Sequence, residues 1–481
     1  MNTMHLPPPF HLAPHSLKRF IVLEKSHLYE ASTTREFQSN GIIQGVRYWP
    51  PSFDPVYSTD KMEVISLTGV WVPAHLSLHH NVCPANFPIP LERHTPEGTE
   101  HLFIIHPAST CFFNTLIQQY HANAFEIKAL TLSSTRTLLA AFETKPDDFE
   151  YFMVKLSFEK ELGGRCRSLK LKESLGSFGN SYLLDKIQIP HIGFIQDSAV
   201  TYLEDIGRGT LFRPIPEVMQ RGHSTLMPFY ALFGERNSQI LDAFLQHSQH
   251  SNSEFIIERL LRPLANIVVE LIYGFNISIQ LHAQNLLLNV EENTYALSES
   301  TPFYYRDMGG VNCLYSQEKK MEMGMPSSLT SDDLYYLDTH IRDAAHAIEN
   351  HLVTNLIYNL TKQFVKRKSL HQSDPNFLKW MEEAVNEKTI GNWTLPGQSN
   401  DMHQESLAED SFVRYGYFEL EFAKILLEVL REKRVFKAIA NAFPYTANYY
   451  AFSKKTLSSV SKHGWFHHLI HSTYSHYLKR M

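Results

Sequence analysis

Apolar and polar positions in the first third of the chain repeat with the short period of β-strands. EVISLTGVWVP at 63–73 and LFIIH at 102–106 are apolar runs separated by a polar loop carrying Glu97, Gly98 and Thr99, and they predict two strands. From Ala108 to Ala124 the spacing of Phe112, Leu116 and Tyr120 predicts a helix. Glu126 to Phe142 reads as one long strand, Lys145-Pro146-Asp147-Asp148 as a turn, and Phe149 to Phe158 as the returning strand. In that return Phe152, Val154, Leu156 and Phe158 alternate with Met153, Lys155 and Ser157, so Lys155 is expected on a polar face. Gly163-Gly164 then opens a helix-like stretch carrying Arg165 and Arg167. Residues 1–60, rich in proline, histidine and aromatics, show little periodicity and read as the edge of a domain.

Further along, Ile277 to Val311 reads as an antiparallel meander, with turn signals at Glu291-Glu292-Asn293 and Ser298 to Pro302. It sets two polar clusters, His282-Ala283-Gln284-Asn285 and Arg306-Asp307-Met308-Gly309-Gly310, at the ends of short apolar strands. The remainder is mostly helical. Phe255 to Tyr273 is an apolar helix in which Pro263 predicts a kink or a restart. Asp332 and Asp333 precede an amphipathic helix with Leu337, Ile341, Ile348, Leu352 and Leu356 on one stripe. Lys388 to Ser411 is a polar loop, and Leu420, Ile425, Leu426, Val429 and Leu430 mark another helix.

At 481 residues the chain exceeds one simple core. Its 43% hydrophobic and 20% charged content is that of a soluble globular protein, and a net charge of -6 argues against nucleic acid or an anionic membrane as the main partner. The N-terminus lacks a continuous apolar signal core and the most apolar run, Leu264 to Leu281, is interrupted by polar residues, which points to a cytoplasmic protein. Cys83, Cys111, Cys166 and Cys313 have no CxxC spacing and are expected to be small core residues of a reducing compartment.

The candidate chemistry is anion binding. Asn285 and Asp307 offer hard oxygen ligands that suit Mg2+ carrying nucleotide phosphates, and His282 offers a donor to phosphate or substrate. Ser134 and Arg136 share a strand face, and Arg165 and Arg167 beside Gly163-Gly164 suggest a cradle for a phosphate. His463, His467 and His471 share a helical face, but no HExxH acid accompanies them, which favours packing over a metal.

Four ordered motifs, SSTRT at 133–137, VKLSFEKELGGRCR at 154–167, LHAQN at 281–285 and YRDMGG at 305–310, resemble the NRPS-independent siderophore synthetases, the aerobactin synthetase (IucA/IucC-like) family. IIHP at 104–107 and VRYWPPSFDPVY at 46–57 are weaker matches. The resemblance implies an α+β, cupped-hand fold with three parts: a shortened N-terminal domain at 1–124, an antiparallel-sheet ATP-binding region at 125–235, and a mainly helical domain at 236–481. It implies iron-acquisition chemistry, in which ATP and Mg2+ adenylate citrate or another polycarboxylate before capture by an amine or alcohol. The ATP site would comprise Ser134, Arg136, Thr137, Lys155, Arg167, His282, Asn285 and Asp307. Arg136, Lys155, Arg167 and His282 would be catalytic, and His106, His15 and Lys18 would meet the carboxylate substrate. Family members are often homodimers. Gly163 and Gln280 stand where the family has threonine and glutamate, and the HPxHxxxK motif survives only as His11, His15 and Lys18. These departures keep open a non-catalytic homologue that binds nucleotide or a partner. A kinase-like phosphotransferase is a third reading, opposed by the lack of a glycine-rich loop before Lys155.

Overall fold

A computed structural model of the chain describes residues 6–31, 42–43, 46–47, 62–134, 136–162, 165–220, 222–233, 238–246, 251–313, 337–386 and 417–432. Gly163 and Gly164, Asp332 and Asp333, the 388–411 loop and the three C-terminal histidines lie outside them. The chain divides into two compact units. The first comprises Met1–Phe244, His282–Val311 and Tyr315–Leu334, and the second Leu245–Leu281, Asn312–Leu314 and Tyr335–Met481.

The first unit is built on nine strands. They are β1 (Val64–Pro73), β2 (Ser77–Asn81), β3 (Glu92–Thr95), β4 (Gly98–Ile105), β5 (Ala124–Thr131), β6 (Thr137–Lys145), β7 (Asp148–Leu156), β11 (Ala199–Leu203) and β12 (Arg208–Pro214). Every pairing in this sheet is antiparallel, in the order β2-β11-β12-β7-β6-β5-β1-β4-β3. The sheet therefore joins strands from 1–124 and from 125–235. It also rolls up. His79 of β2 stacks on His101 of β4 with ring centroids 4.3 Å apart, and the Thr210 hydroxyl of β12 donates to the Ile104 carbonyl of β4 at 3.0 Å. Strand twist of one hand brings those distant strands together.

Both faces of the sheet are covered. Ile65, Leu67, Trp71, Ile127, Leu138, Phe152 and Val154 fill one side. On the other, Leu130, Leu139 and Met153 pack against Phe10, Leu17, Phe20 and Ile21. Leu17, Phe20 and Ile21 of that second cover belong to helix α1 (His15–Ala31). Residues 6–21 thus contribute to the core, although the segment was expected to be the edge of a domain. Its prolines and histidines precede or begin the helix, and the apolar stripe inside it is short. Three further corrections concern local structure. The run 126–142 is two strands, β5 and β6, interrupted at 132–136, because Ser133 and Ser134 bend the chain there. The 108–124 helix reduces to Asn114–Gln119 between single turns. Arg165–Arg167 is a strand (β9) that pairs with Phe158–Leu162 (β8), so no helix start lies beside those arginines. Cys111 is exposed and Cys83 and Cys313 are half-buried, so none of these three is a core residue.

A smaller sheet completes the first unit. It contains β10 (Ile192–Phe194), β13 (Ser224–Pro228), β14 (Leu286–Glu291) and β15 (Phe303–Tyr305), in the order β10-β15-β14-β13. β14 and β15 are the antiparallel limbs of the meander read from the sequence. Helix α2 (Leu171–Asp185) packs against β11 and β12.

Among its described residues the second unit is mainly helical. Pro263 begins the segment Arg262–Val269 directly after a wide π-type turn at Ile257–Leu261, which accommodates the ring without breaking the helix. Tyr417–Glu432 packs on that segment and on Tyr358–Lys366, with Phe418 against Phe364 at 4.8 Å. Ile348, Leu352 and Leu356 are buried, as their stripe predicts. No described helix is long and apolar enough to cross a membrane.

Candidate active site

Lys155 lies near the end of β7, one step along the pleat from Met153 and on the same face. Because that face is covered, Lys155 is 4% exposed rather than solvated as the alternation suggested. Its ammonium pairs with the carboxylate of Asp307. Asp307 follows β15 and precedes a single helical turn at Met308–Gly310. It takes φ 77° and ψ 68°, a left-handed conformation that aspartate tolerates better than most residues. An aspartate before a helical turn commonly caps it, but this side chain makes no capping bond and turns to Lys155 instead.

Three elements fix the position of that turn. Asn180 of α2 donates from Nδ2 to the Met308 carbonyl at 3.0 Å and to the Val311 carbonyl at 2.9 Å. Gly309 leaves room for the close approach. A Cβ there would stand 3.0 Å from Ser177 Oγ, 3.5 Å from Asp307 Oδ1 and 3.6 Å from Lys155 Nζ. The Tyr305 hydroxyl adds a bond to the Asp307 carbonyl at 3.2 Å.

Two further cations, Arg136 after the bend at Ser133-Ser134 and Arg213 on β12, complete the site. Arg136 donates from a terminal nitrogen to the Arg167 carbonyl at 2.8 Å, and Thr137 stands directly opposite Lys155 across β6 and β7. Arg213 of β12 is 2% exposed and pairs through Nε with the fully buried Asp197. These charges act on one another. Burial would raise the Asp307 carboxyl, but Lys155, Arg213 and Arg136 pull it well below the ordinary carboxylate range. Burial lowers the Lys155 ammonium, Asp307 opposes that, and Arg136 and Arg213 reinforce it.

A buried network holds the two polar clusters of the sequence side by side. Arg306 donates through Nε to the Gln284 carbonyl at 2.9 Å, through one terminal nitrogen to Glu24 at 2.6 Å, and through the other to Ser133 Oγ at 3.0 Å. Glu24 of α1 also accepts the Ser133 N–H at 3.0 Å, and Gln284 donates to the Ser133 carbonyl at 3.1 Å. The Arg306 N–H reaches the Asn285 carbonyl at 3.0 Å. Ser134 and Arg136 on one side, and His282 and Asn285 on the other, are therefore set by one ion pair between α1 and the meander.

The three expected substrate contacts behave differently. His106 is fully buried, accepts the Ala108 N–H on Nδ1 at 3.0 Å and meets Phe158 edge-on. His15 is an exposed residue of α1 that pairs with Glu292, and Lys18 is half-buried on the same helix. None of the three bonds to the Lys155–Asp307 pair. Conversely, Glu24, Ser177, Asn180, Asp197 and Arg213 were not singled out from the sequence, and no local pattern marks them.

Among the described residues no group of three or more histidine, cysteine, aspartate or glutamate side chains gathers into a metal site. Asp307 keeps 37% of its side chain exposed while Lys155 holds one of its oxygens. One accessible carboxylate and a nearby amide suit a magnesium ion that arrives with phosphates more than one held by protein alone.

No family model and no curated protein sequence matches the chain. Solved structures do. The petrobactin biosynthesis protein AsbB from Bacillus anthracis str. Sterne superposes with a TM-score of 0.50 at 14% identity, covering 76% of this chain and 71% of its own. Aerobactin synthetase IucC from a hypervirulent pathotype of Klebsiella pneumoniae gives 0.50 at 11% identity, with 82% and 67% covered. The fold is the α+β fold of these two structures, in line with the fold that the motifs imply.

Proposed function

We propose that the protein is an ATP-dependent ligase of siderophore biosynthesis, which adenylates a carboxylate of citrate or a related polycarboxylate and transfers the acyl group to an amine or alcohol. The observation that carries this reading is the convergence of Lys155, Arg136 and Asp307, far apart in sequence, in a fold shared with an aerobactin synthetase. A substrate carboxylate oxygen attacks the α-phosphorus of ATP, the bond to the bridging oxygen breaks, and pyrophosphate leaves with its electron pair. The amine or alcohol then attacks the acyl carbon, loses its proton, and displaces AMP.

In this scheme Lys155 and Arg136 neutralise charge that builds on the phosphate oxygens, with Arg167, Ser134 and Thr137 beside them. His282 serves as a hydrogen-bond donor to substrate or phosphate. Asp307 and Asn285 would hold Mg2+, whose chemistry is charge neutralisation on the polyphosphate. His106, buried as a cap, supports the sheet end in this reading, and His15 and Lys18 remain the α1 candidates for the carboxylate.

Incubation of the protein with Mg-ATP, citrate and hydroxylamine tests the reading. Pyrophosphate, AMP and a hydroxamate that all require citrate, and that vanish in Asp307→Ala, are expected. ADP in place of AMP would replace the reading with phosphotransfer. ATP binding without turnover across a panel of di- and tricarboxylates would replace it with a nucleotide-binding homologue.

A further inference from the structure

We infer that Arg213 is a positioning residue, held by Asp197 behind the Lys155–Asp307 pair, whose fixed positive charge sets how strongly the site binds polyphosphate. The inference rests on the nucleotide-binding reading above. The strand register supports it. Leu211 stands opposite Lys155 and Arg213 opposite Met153, so Arg213 and Lys155 are diagonal neighbours on one face, roughly 7–8 Å apart at the backbone. Arg213 is thus close enough to act on the site and too deep to leave it.

The clamp is rigid. Asp197 is fully buried, its N–H donates to Ser181 Oγ at 2.8 Å, and the Ser181 hydroxyl donates to the Ser177 carbonyl at 3.0 Å. Both serines belong to α2, the helix that also holds Met308–Gly310. The pair is joined through a single contact, and among the described residues Arg213 Nη2 and Asp197 Oδ2 have no hydrogen-bond partner. A buried, half-satisfied ion pair is a poor way to stabilise a fold, since apolar replacement of both partners is often neutral or stabilising. Its electrostatic reach is the better explanation. Arg213 shares the strand face of Lys155, whereas Asp197 lies in the connection before β11 and is bonded to α2. The cation is therefore the member of the pair that stands on the face of the site.

The test is binding of ATP, ADP and adenosine to the full chain, parent against Asp197→Asn/Arg213→Met. This variant removes both charges and keeps the fold free of an orphaned ion. ATP affinity is expected to fall about tenfold, ADP less and adenosine not at all, from a unit charge acting at this range in a partly polarisable medium and partly offset by Asp197. Arg213→Lys, which keeps the charge, is expected to bind ATP within about threefold of the parent. ATP affinity unchanged in the double variant, or an equal loss for all three ligands, would overturn the inference while leaving the nucleotide site standing. A parent that binds none of the three would overturn both. If the double variant does not fold, the comparison of Arg213→Lys with Arg213→Gln decides: equal ATP affinity in those two would refute a role for the charge.

Discussion

Replacing Glu24 with alanine removes the carboxylate that joins α1 to the two polar clusters. Glu24 is fully buried, and its two oxygens take the Arg306 guanidinium and the Ser133 N–H. Arg306 would keep its bonds to the Gln284 carbonyl and Ser133 Oγ but would become a buried cation with no counter-charge. Removing one partner of a buried pair costs ~3–5 kcal/mol. The orphaned Ser133 N–H adds a desolvation penalty of ~1–3 kcal/mol that overlaps with the first and is not summed with it. Urea unfolding of the purified chain is the assay, with the midpoint expected to fall at an unchanged slope. Glu24→Gln, which keeps one acceptor oxygen, should lose less. Ser133 adjoins Ser134 and Arg136, and Arg306 adjoins Asp307, so ATP affinity should fall in parallel with stability. A coupling of at least ~1 kcal/mol is expected in a double-mutant cycle of Glu24→Ala with Arg306→Met. Glu24→Ala unfolding within ~0.5 kcal/mol of the parent would refute the argument that this ion pair organises the site.

The seam of the rolled sheet should be acid-sensitive. Burial, with the neighbouring His101 and His80, lowers His79 to about 4, so the unfolded chain binds more protons below its ordinary value of 6.5. Stability is therefore expected to decline as pH falls from 6.5 towards 4, by up to ~3 kcal/mol, and His79→Gln should flatten that part of the pH–stability curve. Gly309→Ala should cost ~1–3 kcal/mol by forcing a methyl group against Ser177 Oγ, measured by thermal unfolding. Adding Ser177→Ala should recover most of that loss, and no recovery would show that the backbone rather than the hydroxyl is the obstacle.

How much of this was legible in the sequence depends on the distance over which each feature acts. Strands β1, β4, β7, β14 and β15 could be read because alternation and turn residues are local, and Lys155 and Asp307 because polar residues at the ends of apolar runs stand out within a few positions. The burial of Lys155 could not be read. Met153 and Lys155 mark a face that looks polar until α1 packs against Met153 and the Asp307–Gly309 turn against Lys155, and α1 lies in a segment whose prolines and histidines obscure its short apolar stripe. Gly163-Gly164 suggested a helix start, but the neighbouring strand β8 pairs with Arg165–Arg167 and decides otherwise. The supporting charges were hidden for a stronger reason. A lone Glu24 in a helix or Arg213 in a strand reads as a solvated residue. Each acquires a role only from its partner, Arg306 at a separation of 282 residues and Asp197 on a neighbouring strand connection. Motifs therefore expose the groups proposed to meet a ligand, whereas the groups that hold them in place become visible only once the chain is folded. That asymmetry is why Glu24 and Arg213 are the residues whose replacement tests this site most directly.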